Sequence, residues 1–261
     1  MKLGIIASPD RGGFEWAKGL GLSFVEFDIN VGQDAQAFYD RVPELKAASA
    51  ETGVAVGAVG RWGGQKISAD GLVEAEVEAN CTLVRAAAAL GSPVFITGCN
   101  FVEELSYYDN CRLAIAYFSR LIAVGKECGV KICTYNCRWD NFVCTDMAYT
   151  MIHGHLPELG IKYDPSHSIY DGVDYLAEMR KWGDRFDHVH IKGSLIAGGS
   201  RFDDPPAGLD GTNWGAFMAI LYAKGYQGGL SLEPHSENWR GELGDWGVRY
   251  TIDYIRPMIK N

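Results

Sequence analysis

"NCRLAIAYFSRLIAVGKECGVKICTYN", residues 110–136, decides the architecture. Its first part is a helix-like stretch that stops at Gly129, and its second part, 130–136, is a short apolar run of β character. Helix, glycine turn and buried strand form the joint between an α and a β element in a repeating array. Working outward, the same joint recurs at "GLGLS" (19–23), "ETGV" (51–54), "LGSP" (90–93) and "AKGYQGG" (223–229). β-like runs fall at 2–8, 24–30, 54–60, 93–99, 130–136, 160–166, 187–193 and 229–235. The helical stretches between them include the Ala-rich "VEAEVEANCTLVRAAAALG", where Val73, Val77, Leu83, Val84 and Leu90 supply an apolar face. Eight βα units in 261 residues predict an α/β fold of the (β/α)8 TIM-barrel type, one domain over 1–261. A doubly wound open sheet would want a phosphate-binding G-x-G-x-x-G after its first strand. Here "ASPDRGGFE" carries Gly12 and Gly13 without that spacing.

Composition bounds the partners. The net charge is −9, hydrophobic residues make up 47% and charged residues 22%. That balance fits a soluble enzyme and weighs against nucleic acid, whose phosphates attract basic surfaces. There is no apolar stretch of membrane-spanning length, and "MKLGIIASPD" lacks the long apolar region of a signal peptide. The seven cysteines include no C-x-x-C, which predicts reduced, mostly buried thiols in the cytoplasm. Cys133 and Cys137 have no second cysteine pair, so no structural zinc is expected.

In such a barrel the chemistry lies at the C-terminal ends of the strands. The sixth run ends in Asp164 and His167, the seventh offers His188 and His190, and the eighth offers Glu233 and His235. The second offers Glu26 and Asp28. Residues two apart share a side of a strand, so each pair points the same way. A lone histidine or carboxylate at a strand end is commonly structural or solvated. Gathered at successive tips, Asp, His and Glu without a thiolate make a donor set for one divalent ion, Mn, Mg, Co or Zn.

At "KYDPSH" (162–167), "HVHIKGS" (188–194), "PPAGLDGTNW" (205–214) and "GGLSLEPH" (228–235) the chain resembles the xylose isomerase-like TIM barrels, the sugar phosphate isomerase/epimerase superfamily. The resemblance covers essentially the whole chain. It implies one divalent metal held by Glu, Asp, His and Glu from strands five to eight. Asp164, His190 and Glu233 fill the last three places, with His190 chosen over His188 by the family's His-x-Lys phrase. The first place departs: where the family carries Glu-Asn-His, this chain has Tyr135, Asn136 and Cys137. A phenol with a pKa of about 10 is a poor ligand at neutral pH. Three protein ligands are therefore expected, with Asn136 or Glu103 as a further candidate that reaches in.

The departure bears on the reaction. The resemblance implies paired glutamates on opposite faces of the substrate, and Tyr135 removes one of them. Glu233 remains as a single base beside a metal-polarised carbonyl, which suits isomerisation, or elimination as in a dehydratase or lyase. His167, Lys192 or Tyr135 would donate the proton. Trp62, Asn136, His188, Arg201 and His235 are expected against the substrate, and Trp139 lies in a position similar to Trp62. Without an obvious phosphate cradle, a non-phosphorylated sugar or cyclitol is expected as the small-molecule partner, with a homo-oligomer compatible. Two rivals remain. A DNA-repair endonuclease of the same fold would want more metal ligands than six histidines allow, and a non-catalytic sugar-binding or partner barrel would show no metal.

Overall fold

A computed structural model describes residues 1–260. Eight parallel strands close into a barrel in chain order. They are β1 (Lys2–Ile6), β2 (Phe24–Asp28), β3 (Ala55–Arg61), β4 (Val94–Thr97), β5 (Lys131–Tyr135), β6 (Gly160–Tyr163), β7 (Phe186–Ile191) and β8 (Gly229–Leu232). β1 closes the ring by pairing with both β2 and β8. The (β/α)8 expectation is met.

The glycine joints act as the sequence predicts. Gly53, Gly91 and Gly129 cap helices in the left-handed conformation, with φ of 74°, 76° and 75°. Only glycine adopts that region without strain, so each helix stops there and the chain turns into the next strand. The helix Glu74–Leu90 buries Val77, Leu83, Val84 and Leu90 as expected, while Val73 lies just outside as its N-cap. The predicted strand ends run too far. The sixth run stops at Tyr163, and Asp164 instead caps a short helix, Pro165–Tyr170. Pro165 therefore starts a helix as well as ending a strand, because its fixed φ suits the first helical position. The long loop after β7 contains an antiparallel ribbon, Leu195–Ala197 with Ser200–Asp203.

Two apolar layers surround the strands. One large cluster fills the space between barrel and helices, and a smaller one of Ala58, Trp62, Val94, Ile96, Cys133 and Tyr135 packs inside the barrel. At the N-terminal end of the barrel, Phe24 acts as a plug. A Cβ on Gly4, Gly57 or Gly229 would lie 2.3, 2.2 or 2.8 Å from its ring. Small residues there let one aromatic ring close the bottom of the barrel. His188 stands above it, its ring 6.1 Å from that of Phe24. From that level to the mouth the interior along β2, β6, β7 and β8 is polar. All seven cysteines are free thiols, and among the described residues no helix is long and apolar enough to cross a membrane.

Candidate metal centre and active site

The tips of β6, β7 and β8 carry the candidate centre. Ligand atoms of Asp164, His190 and Glu233 all lie within 4.8 Å of one another. Each is fixed by its own local structure. Asp164 accepts from the Ser166 N–H at 2.9 Å through Oδ1, as a helix cap does, which leaves Oδ2 turned inward. Oδ2 is buried and has no hydrogen-bond partner. The Asn136 amide clasps the Asp164 backbone on both sides, accepting from its N–H at 3.0 Å and donating to its carbonyl at 2.7 Å. Asn136 thus orients the carboxylate and lies outside the substrate cavity, contrary to the expectation of a substrate contact or extra ligand. Glu103 is exposed and does not line the cavity either.

His190 is held between two carboxylates. Its Nε2 donates to Glu26 at 2.9 Å, and its Nδ1 lies 2.6 Å from Glu233 Oε2. Burial works against the charged ring, but the carboxylates on either side hold His190 above the usual histidine range; a metal ion at Nδ1 would take the place of that proton and leave Nε2–H to Glu26. Glu26 also accepts from His188 Nε2 at 2.7 Å. His188, 1% exposed, belongs to this layer beneath the cavity and does not reach the substrate space, which corrects its expected role. Burial alone would raise the Glu26 carboxyl, but the two imidazoles hold it well below the carboxylate range.

Glu233 is ionised for a similar reason: burial is outweighed by Lys192, whose Nζ lies 3.3 Å from Oε1, and by His190. Asp164 is likewise held well below the usual range; burial opposes this, and His167, Lys192 and Lys162 overcome it. His167 Nε2 lies 3.3 Å from Asp164 Oδ2, and that carboxylate raises it to about 9 against the effect of burial. Asp28 moves the other way. Burial and the neighbouring Glu26 push its carboxyl well above the carboxylate range, and its Oδ1 is a second buried oxygen with no partner. Two kinds of carboxyl, one ionised and one neutral, therefore share one mouth.

Asp28, His167, His190, Lys192 and Glu233 border a cavity of about 540 Å³ that also takes in Trp62, Trp139, Lys162, Tyr170, Arg201 and His235, with Asp164 buried behind them. Arg201 and His235 both bond to the buried Asp204, His235 through Nδ1 at 3.0 Å, and the Arg201 guanidinium stacks over Tyr170 at 4.8 Å. They face the cavity with these atoms already engaged. Tyr135 departs most from expectation. Its hydroxyl donates to the Trp139 carbonyl at 2.9 Å and accepts from the Gly63 N–H at 3.3 Å. Its ring stacks on Trp62 at 5.4 Å and 15°. The phenol is a wall of the barrel, its hydroxyl engaged by Trp139 and Gly63 and pushed by burial far above its usual pKa.

A family model described as "Xylose isomerase-like TIM barrel" matches residues 14–256. The chain belongs to that family. The Bacillus subtilis (strain 168) protein YfiH is 25% identical to this chain over 179 residues, covering 60% of it and 56% of YfiH, so the match spans little more than half of that relative. Among solved structures, 3-keto-D-glucoside 4-epimerase YcjR from E. coli superposes with a TM-score of 0.75 at 19% identity, covering 98% of this chain and 99% of YcjR. D-allulose 3-epimerase from Methylomonas sp. gives 0.79 at 16%, covering 99% and 98%. D-psicose 3-epimerase from Clostridium cellulolyticum H10, solved with D-tagatose, gives 0.78 at 15%, covering 100% of both chains. At these identities the likeness concerns the fold.

Sequence reasoning missed the work of Glu26, Lys162 and Asp204. Glu26 and Asp28 were visible as an inward pair on β2, but which imidazole they meet depends on closing the ring. Lys162 had a signal: it stands two residues before Asp164 and so shares its side of the chain.

Proposed function

We propose that the protein is a divalent-metal-dependent sugar isomerase/epimerase-like enzyme acting on a keto- or hydroxy-sugar or cyclitol. The observation that carries this is the meeting of Asp164, His190 and Glu233, with one Asp164 oxygen buried and unpartnered. That oxygen makes no hydrogen bond although His167, Lys192 and Lys162 stand 3.3, 3.8 and 3.9 Å away, and a metal ion would give it the direct bond that none of them supplies. Two carboxylates and an imidazole, with no thiolate, fit Mn, Mg, Co or Zn. Bound there, the ion would supply Lewis-acid polarisation of a substrate oxygen and so acidify the neighbouring C–H.

The chain's own groups supply the proton handling. Glu233 is ionised and borders the cavity, so it is the base that accepts the carbon-bound proton. His167, protonated up to about pH 9, and Lys192 are cationic donors toward substrate oxygens. Burial and Glu26 push the Asp28 carboxyl well above the carboxylate range, which suits it to donate a proton to a substrate oxygen. Trp62 and Trp139 offer ring faces against which a sugar can stack. With Tyr135 engaged elsewhere, no second carboxylate base stands on β5, which favours one-base isomerisation or elimination over two-base epimerisation.

Metal analysis tests the reading. The purified protein is expected to bind one Mn²⁺ per chain at micromolar concentration, and turnover of a keto-sugar panel should stop with a chelator and return on adding Mn²⁺. Activity that survives chelation, or the absence of any micromolar Mn, Mg, Co or Zn binding, would overturn it.

A further inference from the structure

Lys162 is 1% exposed, and its ammonium makes no hydrogen bond within the protein. It borders the cavity with its Nζ 5.9 Å from the centroid of the Trp62 ring. The nearest carboxylate oxygen, Asp164 Oδ2, is 3.9 Å away and is shared: His167 approaches it to 3.3 Å and Lys192 to 3.8 Å. Two ammoniums and an imidazole thus crowd one oxygen. A buried ammonium is tolerated when well paired and hydrogen-bonded, and this one has a single, shared ion pair at 3.9 Å and no hydrogen bond.

The surroundings give Lys162 no other job. Its neighbour across the β5–β6 ladder is Tyr135, whose hydroxyl is turned away to Trp139 and Gly63. The other cavity cations have partners: Arg138 lies 2.6 Å from Asp171, and Arg201 pairs with Asp204. Asp28, on the far side of the ring, has its carboxyl pushed well above the carboxylate range by burial and Glu26. On the proposed reading, a divalent ion on Asp164 occupies the one carboxylate that Lys162 faces. Five positive charges (two on the ion and one each on Lys162, Lys192 and His167) then face three carboxylates, Glu26, Asp164 and Glu233. β5, where the resemblance implies a glutamate, carries Tyr135 instead, and the next strand, β6, adds the Lys162 cation beside it.

We infer that Lys162 is a specificity residue that takes a carboxylate of the substrate, which makes the substrate class a sugar acid. This deepens the proposed function and rests on it. An anionic oxygen at Lys162 Nζ completes the ammonium's hydrogen bonding with a charge-assisted bond in a site screened from bulk water. The aromatic walls of Trp62 and Trp139 leave the hydroxylated body of the same molecule to stack.

Calorimetric titration of the Mn²⁺-loaded protein with D-gluconate and with D-glucitol, matched in length and differing in the carboxylate, tests it. Gluconate should bind at least about tenfold tighter than glucitol, roughly one charge-assisted bond. In K162M the two affinities should approach each other through loss of gluconate binding alone, and K162R should keep part of the preference. Gluconate can also chelate the ion, so the inference stands on the loss in K162M; a preference that survives K162M overturns it. Equal binding of both ligands to the wild type overturns it too, while leaving the sugar-site reading intact. Binding of neither overturns both. Displacement of gluconate by inorganic phosphate more readily than by acetate would overturn the carboxylate assignment. Mn²⁺ affinity reports whether each variant keeps its fold, and K162Q replaces K162M if the latter loses it.

Discussion

The tips of β3–β5 and those of β6–β8 treat buried polar groups in opposite ways. On the first arc every polar group described is satisfied by protein. Arg61 bonds Glu76 through two nitrogens, at 2.6 and 3.1 Å, and reaches the carbonyls of Ile29, Asn30 and Gln33. Thr97 meets Asn80 and Tyr117, and Thr134 meets His153 at 3.1 Å. Tyr135 is closed off by Trp139 and Gly63. On the second arc, together with the tip of β2, the buried oxygens Asp164 Oδ2 and Asp28 Oδ1 make no hydrogen bond, and the Lys162 ammonium at the cavity has only its shared ion pair with Asp164 at 3.9 Å. Satisfied polar groups hold a wall in place, whereas unsatisfied ones await a ligand. The first arc is scaffold, and the second is where binding and chemistry are proposed.

Changes on the second arc should cost function, and changes on the first should cost stability. The largest effect is expected at Glu233. Glu233→Gln should lower kcat about 10²–10⁴-fold with an unchanged far-UV circular dichroism spectrum; near-normal turnover would remove Glu233 as the base. Next is Glu26→Gln, which weakens the acceptor that fixes His190. Mn²⁺ affinity by calorimetry should fall about 10–100-fold, and unchanged affinity would make Glu26 a packing residue only.

On the first arc, His153 gives a pH signature. It is buried between Thr134 and the Leu159 carbonyl, and burial lowers it from 6.5 to about 4. The unfolded chain therefore takes up this proton before the folded one does. The contribution is complete above pH 6.5 and is lost as pH falls toward 4, on the order of 3 kcal/mol. His153→Gln should flatten that part of the melting-temperature profile, and an unchanged slope would show that His153 is not its source. The smallest effect belongs to Tyr135→Phe. It should cost about 1 kcal/mol in denaturant unfolding and leave turnover within roughly threefold. A loss above about thirtyfold would return the phenol to the chemistry and erase the contrast between the arcs.

Much of this was legible in the chain before folding. Glycine joints such as Gly129 and the eight β-like runs are local signals, and they carry the barrel. Asp164, His190 and Glu233 were legible because strand parity and the family's phrases fall on the same residues. Depth was not legible. His188 has the parity of His190 but lies one layer lower, beside Phe24, and parity says nothing about layers. Lys162 has the parity of Asp164, but it interrupts an apolar run that reads as buried, which masks that signal. The direction of the Tyr135 hydroxyl depended on a carbonyl of the following loop. Glu26 could not be joined to His190, 164 residues later, until the ring had closed.

That last contact ties competence to the order of synthesis. β2 leaves the ribosome early, yet its Glu26 has no imidazole to meet until β7 has emerged, and Glu233 follows later still. A nascent or truncated chain lacking β8 can hold Asp164 and His190 and still lack the third donor. Metal retention by this chain would then be a signal that the final strand has docked against β1, a seal applied only to finished molecules.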